Sequence, residues 1–225
     1  MIHGQAGEER TVHVPIGSIS LVGDLSVPQG ATGIVLFAHG SGSSRLSPRN
    51  RYVAQVLREG GLATLLVDLL TAEEEMIDMQ TRELRFNIGL LAGRLIGITD
   101  WLAQHPDLQH LKIGYFGAST GSAAALIAAA QRADRVHAVV SRGGRPDLAA
   151  SSLPYVKAPT LLIVGGEDFP VIGLNEKAFE QLRTEKKLEI VPGATHLFEE
   201  PGALEEVARL ARDWFLKHLT MNAER

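Results

Sequence analysis

Ser119 stands at the centre of Gly117-Ala118-Ser119-Thr120-Gly121, between a short apolar run beginning at Lys112 and an alanine-rich stretch reaching Ala130. A serine at a sharp strand-to-helix turn takes an unfavourable backbone conformation, and small residues two positions to either side let strand and helix close around it. Its hydroxyl is then lifted clear of the sheet, where a carbonyl carbon can reach it. Gly-x-Ser-x-Gly is a weak pattern in a glycine-rich chain and gains meaning from the strand before it and the helix after it. The structural alternative is a tight turn in which Ser119 only caps the helix.

A serine hydroxyl needs a base within hydrogen-bond reach and a carboxylate to orient that base. The apolar run from Thr160 ends in Gly165-Gly166-Glu167-Asp168, which places Asp168 at the carboxyl end of a strand, where sites lie in open α/β sheets. The next apolar run ends in Val191-Pro-Gly-Ala-Thr-His196, a turn-rich loop presenting a histidine at the same edge. The chain order Ser119, Asp168, His196 is the one expected of hydrolases built on such a sheet. Glu167 is the competing acid, one step shallower in the loop. Asp168 could instead cap the following turn, and His196 could pack on the last helix. His105, His110 and His218 fall near helix ends, and His3 and His13 precede the core sheet.

Attack on an ester leaves a negative oxygen, for which preorganised N–H donors are the largest source of stabilisation. The loop Phe37-Ala38-His39-Gly40-Ser41-Gly42-Ser43-Ser44 follows the first long buried strand, and its small residues permit close backbone approach. The expected donors are the N–H groups of Ser41 and Thr120, with His39 orienting the loop. The same loop lacks the Gly-Lys-Ser/Thr ending of a P-loop and the Gly-x-Gly-x-x-Gly spacing of a dinucleotide site.

The elements that must position these groups are legible from hydrophobic patterning. Thr11–Val14 and Ser20–Val27 read as two antiparallel strands around Pro15-Ile-Gly-Ser. Gly33–Ala38, Ala63–Asp68, Lys112–Gly117, Ala138–Ser141 and Thr160–Val164 are continuous apolar runs of the kind found in strands buried on both faces. Helical patterns lie at Ser47–Glu59, Asn87–Gln104, Thr120–Arg132 and Glu176–Thr184, followed by a strand Leu188–Val191 and a helix Ala203–His218. The alternation predicts an α/β fold: a mostly parallel, open twisted sheet of about eight strands with helices on both faces. The acidic stretch from Thr71 to Glu83 reads as a solvated loop or, alternatively, a mobile rim over the pocket.

At 225 residues, one domain spanning 1–225 is the economical expectation. With no cysteine, thiolate nucleophiles, disulfides and cysteine-ligated metals are excluded. No cofactor or metal is called for. The first ten residues lack the pattern of a signal peptide and no segment is apolar for the length of a bilayer, which predicts a cytoplasmic protein. A net charge of -4 offers no general attraction to nucleic acid or anionic membrane, so the expected partner is a small-molecule ester. Oligomeric state is not legible.

From the Ala38–Ser44 loop through Gly117–Gly121 and Gly165–Asp168 to Gly193-Ala-Thr-His196, the chain resembles the α/β-hydrolase superfamily, and within it the dienelactone-hydrolase-like branch of small, lidless enzymes. The resemblance implies the eight-stranded hydrolase sheet and assigns a triad to Ser119, Asp168 and His196. Dienelactone hydrolases proper use a cysteine nucleophile, so the expectation here is a serine carboxylesterase acting on small or short-chain esters, thioesters or lactones through an acyl-enzyme. An acyltransferase or peptidase on the same triad, and a silent binding module, are the competing readings.

Only Arg142–Lys157 separates two strands where lids are often inserted, so no cap domain is expected. Arginine forks suit carboxylate or phosphate, and Arg45 and Arg142 stand after strand ends at the active edge. Either arginine could hold an anionic substrate group. Alternatively, the arginines of this edge pair with Asp68, Glu73 to Glu75 and Asp147 to fasten the loops.

Overall fold

The structure is a computed structural model that describes residues 7–220. Strands β1 (Arg10–Ile16) and β2 (Ile19–Ser26) form an antiparallel hairpin whose turn is made at Gly17, with a positive φ of 57°. Strand β3 (Gly33–Ala38) leads through the glycine-serine loop into helix α1 (Pro48–Glu59), and β4 (Ala63–Val67) follows. After α2 (Ala72–Thr81) and α3 (Ile88–Gln104) come β5 (Lys112–Ala118) and α4 (Thr120–Gln131). The chain closes with β6 (Val136–Arg142), β7 (Thr160–Gly165), α5 (Phe169–Gln181), β8 (Lys186–Val191) and α6 (Ala203–Leu219).

The eight strands make one sheet in the order β1-β2-β4-β3-β5-β6-β7-β8. Strand β2 runs antiparallel to β4, and every pairing from β4 across to β8 is parallel. This is the α/β-hydrolase sheet that the resemblance implied. Side-chain alternation divides the core in two. Ile34, Leu36 and Ala38 of β3 face the layer of α3 and α4, while Val35 and Phe37 face the layer of α1 and α6. Strands β3 to β7 therefore carry apolar residues on both faces, and β3, β4 and β7 are buried throughout.

The acidic stretch departs from expectation. Residues Ala72–Thr81 form a helix, not a loop, because Thr71 and Glu74 make a reciprocal capping box: Thr71 Oγ1 accepts from Glu74 N at 3.2 Å and Glu74 Oε2 accepts from Thr71 N at 2.9 Å. Glu74 is also gripped by both terminal nitrogens of Arg94 on α3, at 2.9 and 2.6 Å. Those bonds hold its carboxyl below the ordinary glutamate range. Helix α5 begins at Phe169, earlier than the predicted Glu176, because Pro170 in its first turn supports helix initiation. The connection after β6 is a 3-10 helical stretch, Pro146–Tyr155, lying against α4 and α5 and adding no lid.

Candidate active site

The chain between β5 and α4 is drawn into an elbow at Ser119, whose φ of 52° and ψ of -122° are unfavourable for a residue with a side chain. The flanking glycines make it possible. A Cβ at Gly117 would lie 2.5 Å from Ser122 Cα, and one at Gly121 would lie 2.3 Å from the Ala38 carbonyl oxygen. The strained residue is pinned by its own backbone: its N–H donates to Arg142 O at 3.2 Å and its carbonyl accepts from Arg145 N at 3.1 Å. Ser119 occupies the N-cap position of α4 yet makes no side-chain capping bond, so the structural alternative for this serine does not hold.

Asp168 is buried, whereas Glu167, the competing acid, is exposed. Asp168 makes no capping bond to α5; its Oδ2 lies 2.6 Å from His196 Nδ1. A carboxylate can only accept, so the imidazole donates through Nδ1 and keeps Nε2 as its acceptor. The two loops that bring acid and base together are laced by backbone bonds: Gly166 N to Val191 O at 2.8 Å and Glu167 N to Ala194 O at 2.9 Å. Gly165 is required there, since a Cβ would fall 2.3 Å from Ala194 O. His196 and Ser119 then line one cavity of about 460 Å³. Among the other histidines weighed, His3 lies outside the described residues and none of the rest lines that cavity.

The glycine-serine loop forms the opposite wall. His39 is buried, and its Nε2 accepts from Leu69 N at 3.0 Å while Nδ1 donates to Gly40 O at 3.0 Å. The neutral ring thereby ties the loop to the end of β4, as expected of a residue that orients it. Burial pushes its pKa below the ordinary histidine value. Unfolding frees it to bind a proton, so the stability it contributes is lost as pH falls below about 6.5 toward the lower folded value. Thermal denaturation between about pH 7.5 and about pH 5 should show a slope that is shallower in His39→Asn. An unchanged slope would remove His39 as its source.

Ser41 N does not stand free: it donates to Thr120 Oγ1 at 3.0 Å. The Ser41 hydroxyl spends its proton on Arg85 O at 3.0 Å, so across the 2.7 Å contact between the two hydroxyls Thr120 is the donor. Ser41 and Thr120 line the same cavity as Ser119, and the clasp between them joins side chains 79 residues apart, beyond the reach of a local sequence pattern. Arg85 is in turn held by Asp78, with Nε at 2.7 Å from Oδ2. Helix α2 thus buttresses the loop, and only Phe86 of the 3-10 turn Leu84–Phe86 reaches the cavity.

The arginines separate cleanly. Arg45 does not line the cavity; its Nη1 lies 2.6 Å from Asp68 Oδ2 and its Nε 3.2 Å from Asp24 Oδ2, which is the loop-fastening alternative. Arg145 lines the cavity but is spent on Asp147, with two bonds at 2.9 and 2.8 Å. Arg142 is 7 % exposed, lines the cavity, and has its Nε without a partner. Burial, with the Arg49 guanidinium nearby and no carboxylate to offset it, pushes Arg142 down to about 10.

A parallel sheet whose strand order reverses at β3, with a strained serine elbow and a paired acid and histidine at its carboxyl edge, defines an α/β-hydrolase. A sequence model of the dienelactone hydrolase family matches residues 24–221, and the chain belongs to that family. The crystal structure of dienelactone hydrolase from Anabaena variabilis is 68% identical and superposes with a TM-score of 0.94, covering 95% of this chain and 99% of that one. The esterase Est1E from Butyrivibrio proteoclasticus shares the fold at 16% identity, with a TM-score of 0.78 over 92% of this chain and 98% of its own. Two Mycobacterium tuberculosis proteins carrying the provisional name of phosphoribosyl transferase are 59% identical over 211 residues. That match takes in 94% of this chain and 47% of each relative, so the chain spans about half the length of the curated relatives it matches. The family and the fold are those of hydrolases. No helix among the described residues is long and apolar enough to cross a membrane.

Proposed function

We propose that the protein is a serine hydrolase that cleaves small or short-chain carboxylic esters, thioesters or lactones through an acyl-enzyme. The observation that carries this reading is the Asp168–His196 bond at 2.6 Å, made in the same cavity as a serine held at a positive φ. His196 Nε2 takes the proton of Ser119 Oγ as that oxygen bonds to the carbonyl carbon, and the carbonyl π pair moves onto oxygen. Collapse of the tetrahedral adduct breaks the bond to the leaving alcohol, which leaves with the proton from His196. Water, deprotonated by the same nitrogen, then attacks the acyl-enzyme and restores Ser119.

The N–H groups of Ser41 and Thr120 receive the developing oxyanion. For the Ser41 donor this requires the Thr120 hydroxyl to turn away about its Cα–Cβ bond, releasing the N–H it occupies at rest. All of the reacting groups come from one sheet edge, so one domain is sufficient for the chemistry. The transferase name belongs to relatives about twice this length and is not extended to this chain, whose family match accounts for residues 24–221.

A fluorophosphonate should label Ser119 and no other residue, as read by intact mass and peptide mapping. Equal labelling of Ser119→Ala protein would sink the assignment. Glu167→Gln should leave turnover within a few-fold of the unmodified protein, because that side chain is exposed and Asp168 holds the histidine.

A further inference from the structure

The loop that carries Ser41 is a thin partition. Gly40, Ser41 and Ser43 line the nucleophile's cavity on one side and, on the other, a second cavity of about 260 Å³ walled by Met79, Arg85 and Leu91. The loop closes on itself through a tight turn in which Ser43 N donates to Gly40 O at 3.1 Å and Gly42 takes a φ of 72°. Nothing in such a turn stops it from retreating into the space behind it, and displacement of an N–H donor by about 1 Å is enough to weaken its hold on a developing oxyanion.

Residue 85 stands against the loop from that side. The Ser41 hydroxyl donates to Arg85 O at 3.0 Å, and the guanidinium of the same residue lies over Gly42, where a Cβ would come 3.0 Å from Nη1. Arg85 is fixed in turn by the Asp78 carboxylate, whose Oδ1 accepts from Arg85 N at 3.0 Å and whose Oδ2 accepts from Nε at 2.7 Å. The backbone that offers the carbonyl and the side chain that covers Gly42 are therefore held by the same group. Asp78 is also the buried residue of α2, its side chain 4 % exposed, while Met76, Ile77 and Met79 of that helix stand at the surface. A helix that turns a carboxylate inward and its apolar side chains outward is not docked by apolar burial, so what Asp78 grips accounts for its place.

We propose that Asp78 and Arg85 are positioning residues of the reaction: acting on Ser41 and Gly42, they set where the N–H assigned to the oxyanion stands, without touching the ester themselves. The proposal rests on the hydrolase reading. Both residues line the second cavity and neither lines that of the nucleophile. Because the donor they place acts on the tetrahedral adduct, their loss falls on kcat and leaves binding of the ground-state ester almost unchanged.

Asp78→Ala and Arg85→Ala should each lower kcat about tenfold to a hundredfold on a neutral short-chain ester with KM within about threefold, short of the roughly hundredfold to thousandfold loss expected when an oxyanion donor is removed outright. Affinity for a trifluoromethyl ketone, whose adduct with Ser119 carries the oxyanion, should fall by the same factor as kcat/KM. A double-mutant cycle separates positioning from general loosening: in a Ser41→Ala background, which keeps the N–H and lacks the hydroxyl, the Asp78 change should cost several-fold less than it does alone. Hydrogen exchange of the Ser41 and Ser43 amides, both bonded in the resting loop, should quicken in both variants and reads the loop without any chemistry. Should Asp78→Ala fail to fold, Arg85→Ala carries the same cycle. Fully additive losses, an unmoved kcat, or a fall in kcat with exchange unchanged each overturns the positioning role. Unmodified protein that turns over no ester overturns the hydrolase reading instead, and the exchange rates still decide whether Asp78 and Arg85 hold the loop.

Discussion

Replacing Ser119 by alanine or His196 by alanine should each lower kcat about ten-thousandfold or more on any ester the enzyme turns over, with a much smaller change in KM. In the proposed mechanism both residues act on the transition state and neither is needed to hold the ground-state ester. Asp168→Asn should approach the same loss, because an amide can donate to Nδ1 and so favours the tautomer that leaves no acceptor at Nε2. The three changes should be far from additive: the double variant Ser119→Ala/His196→Ala should be about as slow as either single one. Steady-state kinetics on a chromogenic short-chain ester decides this. A His196→Ala protein within about tenfold of the unmodified enzyme would show that the base lies elsewhere. Circular dichroism should confirm that the variants keep their fold.

Gly121→Ala should be the most damaging single-methyl change at the site. The new Cβ would stand 2.3 Å from Ala38 O and 2.5 Å from His39 O, both backbone atoms, so either α4 or the glycine-serine loop has to move. Overpacking of this kind costs about 1–3 kcal/mol, and with backbone on both sides the upper end is expected. In a chain of this size that is a fall in Tm of roughly 6–12 °C. Displacing the loop also displaces the Ser41 N–H, and misplacement by about 1 Å at a reacting centre costs on the order of a hundredfold in rate. Gly173→Ala is the control: it lies inside α5, a Cβ there meets nothing within 4 Å, and the substitution should raise Tm slightly. Gly121→Ala protein melting like the unmodified chain would mean that the elbow has slack the structure does not show.

Much of the fold was legible because its signals are local. The runs at β3, β4, β5 and β7 are dominated by apolar residues, as a strand buried on both faces requires. The elbow announced itself through two glycines at fixed spacing from Ser119, whose absent side chains answer contacts made within a few residues of the turn and with the neighbouring strand end. Helix α2 is equally local, since Thr71 and Glu74 spell out its capping box, but the acidity of the stretch resembles that of a solvated loop. The early start of α5 is masked for a related reason: Pro170 and Gly173 suggest a loop unless proline is read as a first-turn residue.

Inventory and order are written along the chain: a serine at a turn, an acid and a histidine after successive strands, a small-residue loop before them, and no cysteine to compete. Tertiary structure alone decided which charges are spent. Arg45, Arg142 and Arg145 are the same residue type near the same sheet edge, yet Arg45 meets Asp68 and Asp24, Arg145 meets Asp147, and Arg142 meets no carboxylate. The same holds for Ser41, whose N–H is committed to a threonine 79 residues away. Strand and turn propensities act over a few residues and survive in any sequence window, whereas the pairing of a long polar side chain depends on which distant backbone the sheet order brings beside it. That order, β4-β3-β5-β6-β7, is set by packing of the whole core, and with it the one buried cation left facing the nucleophile.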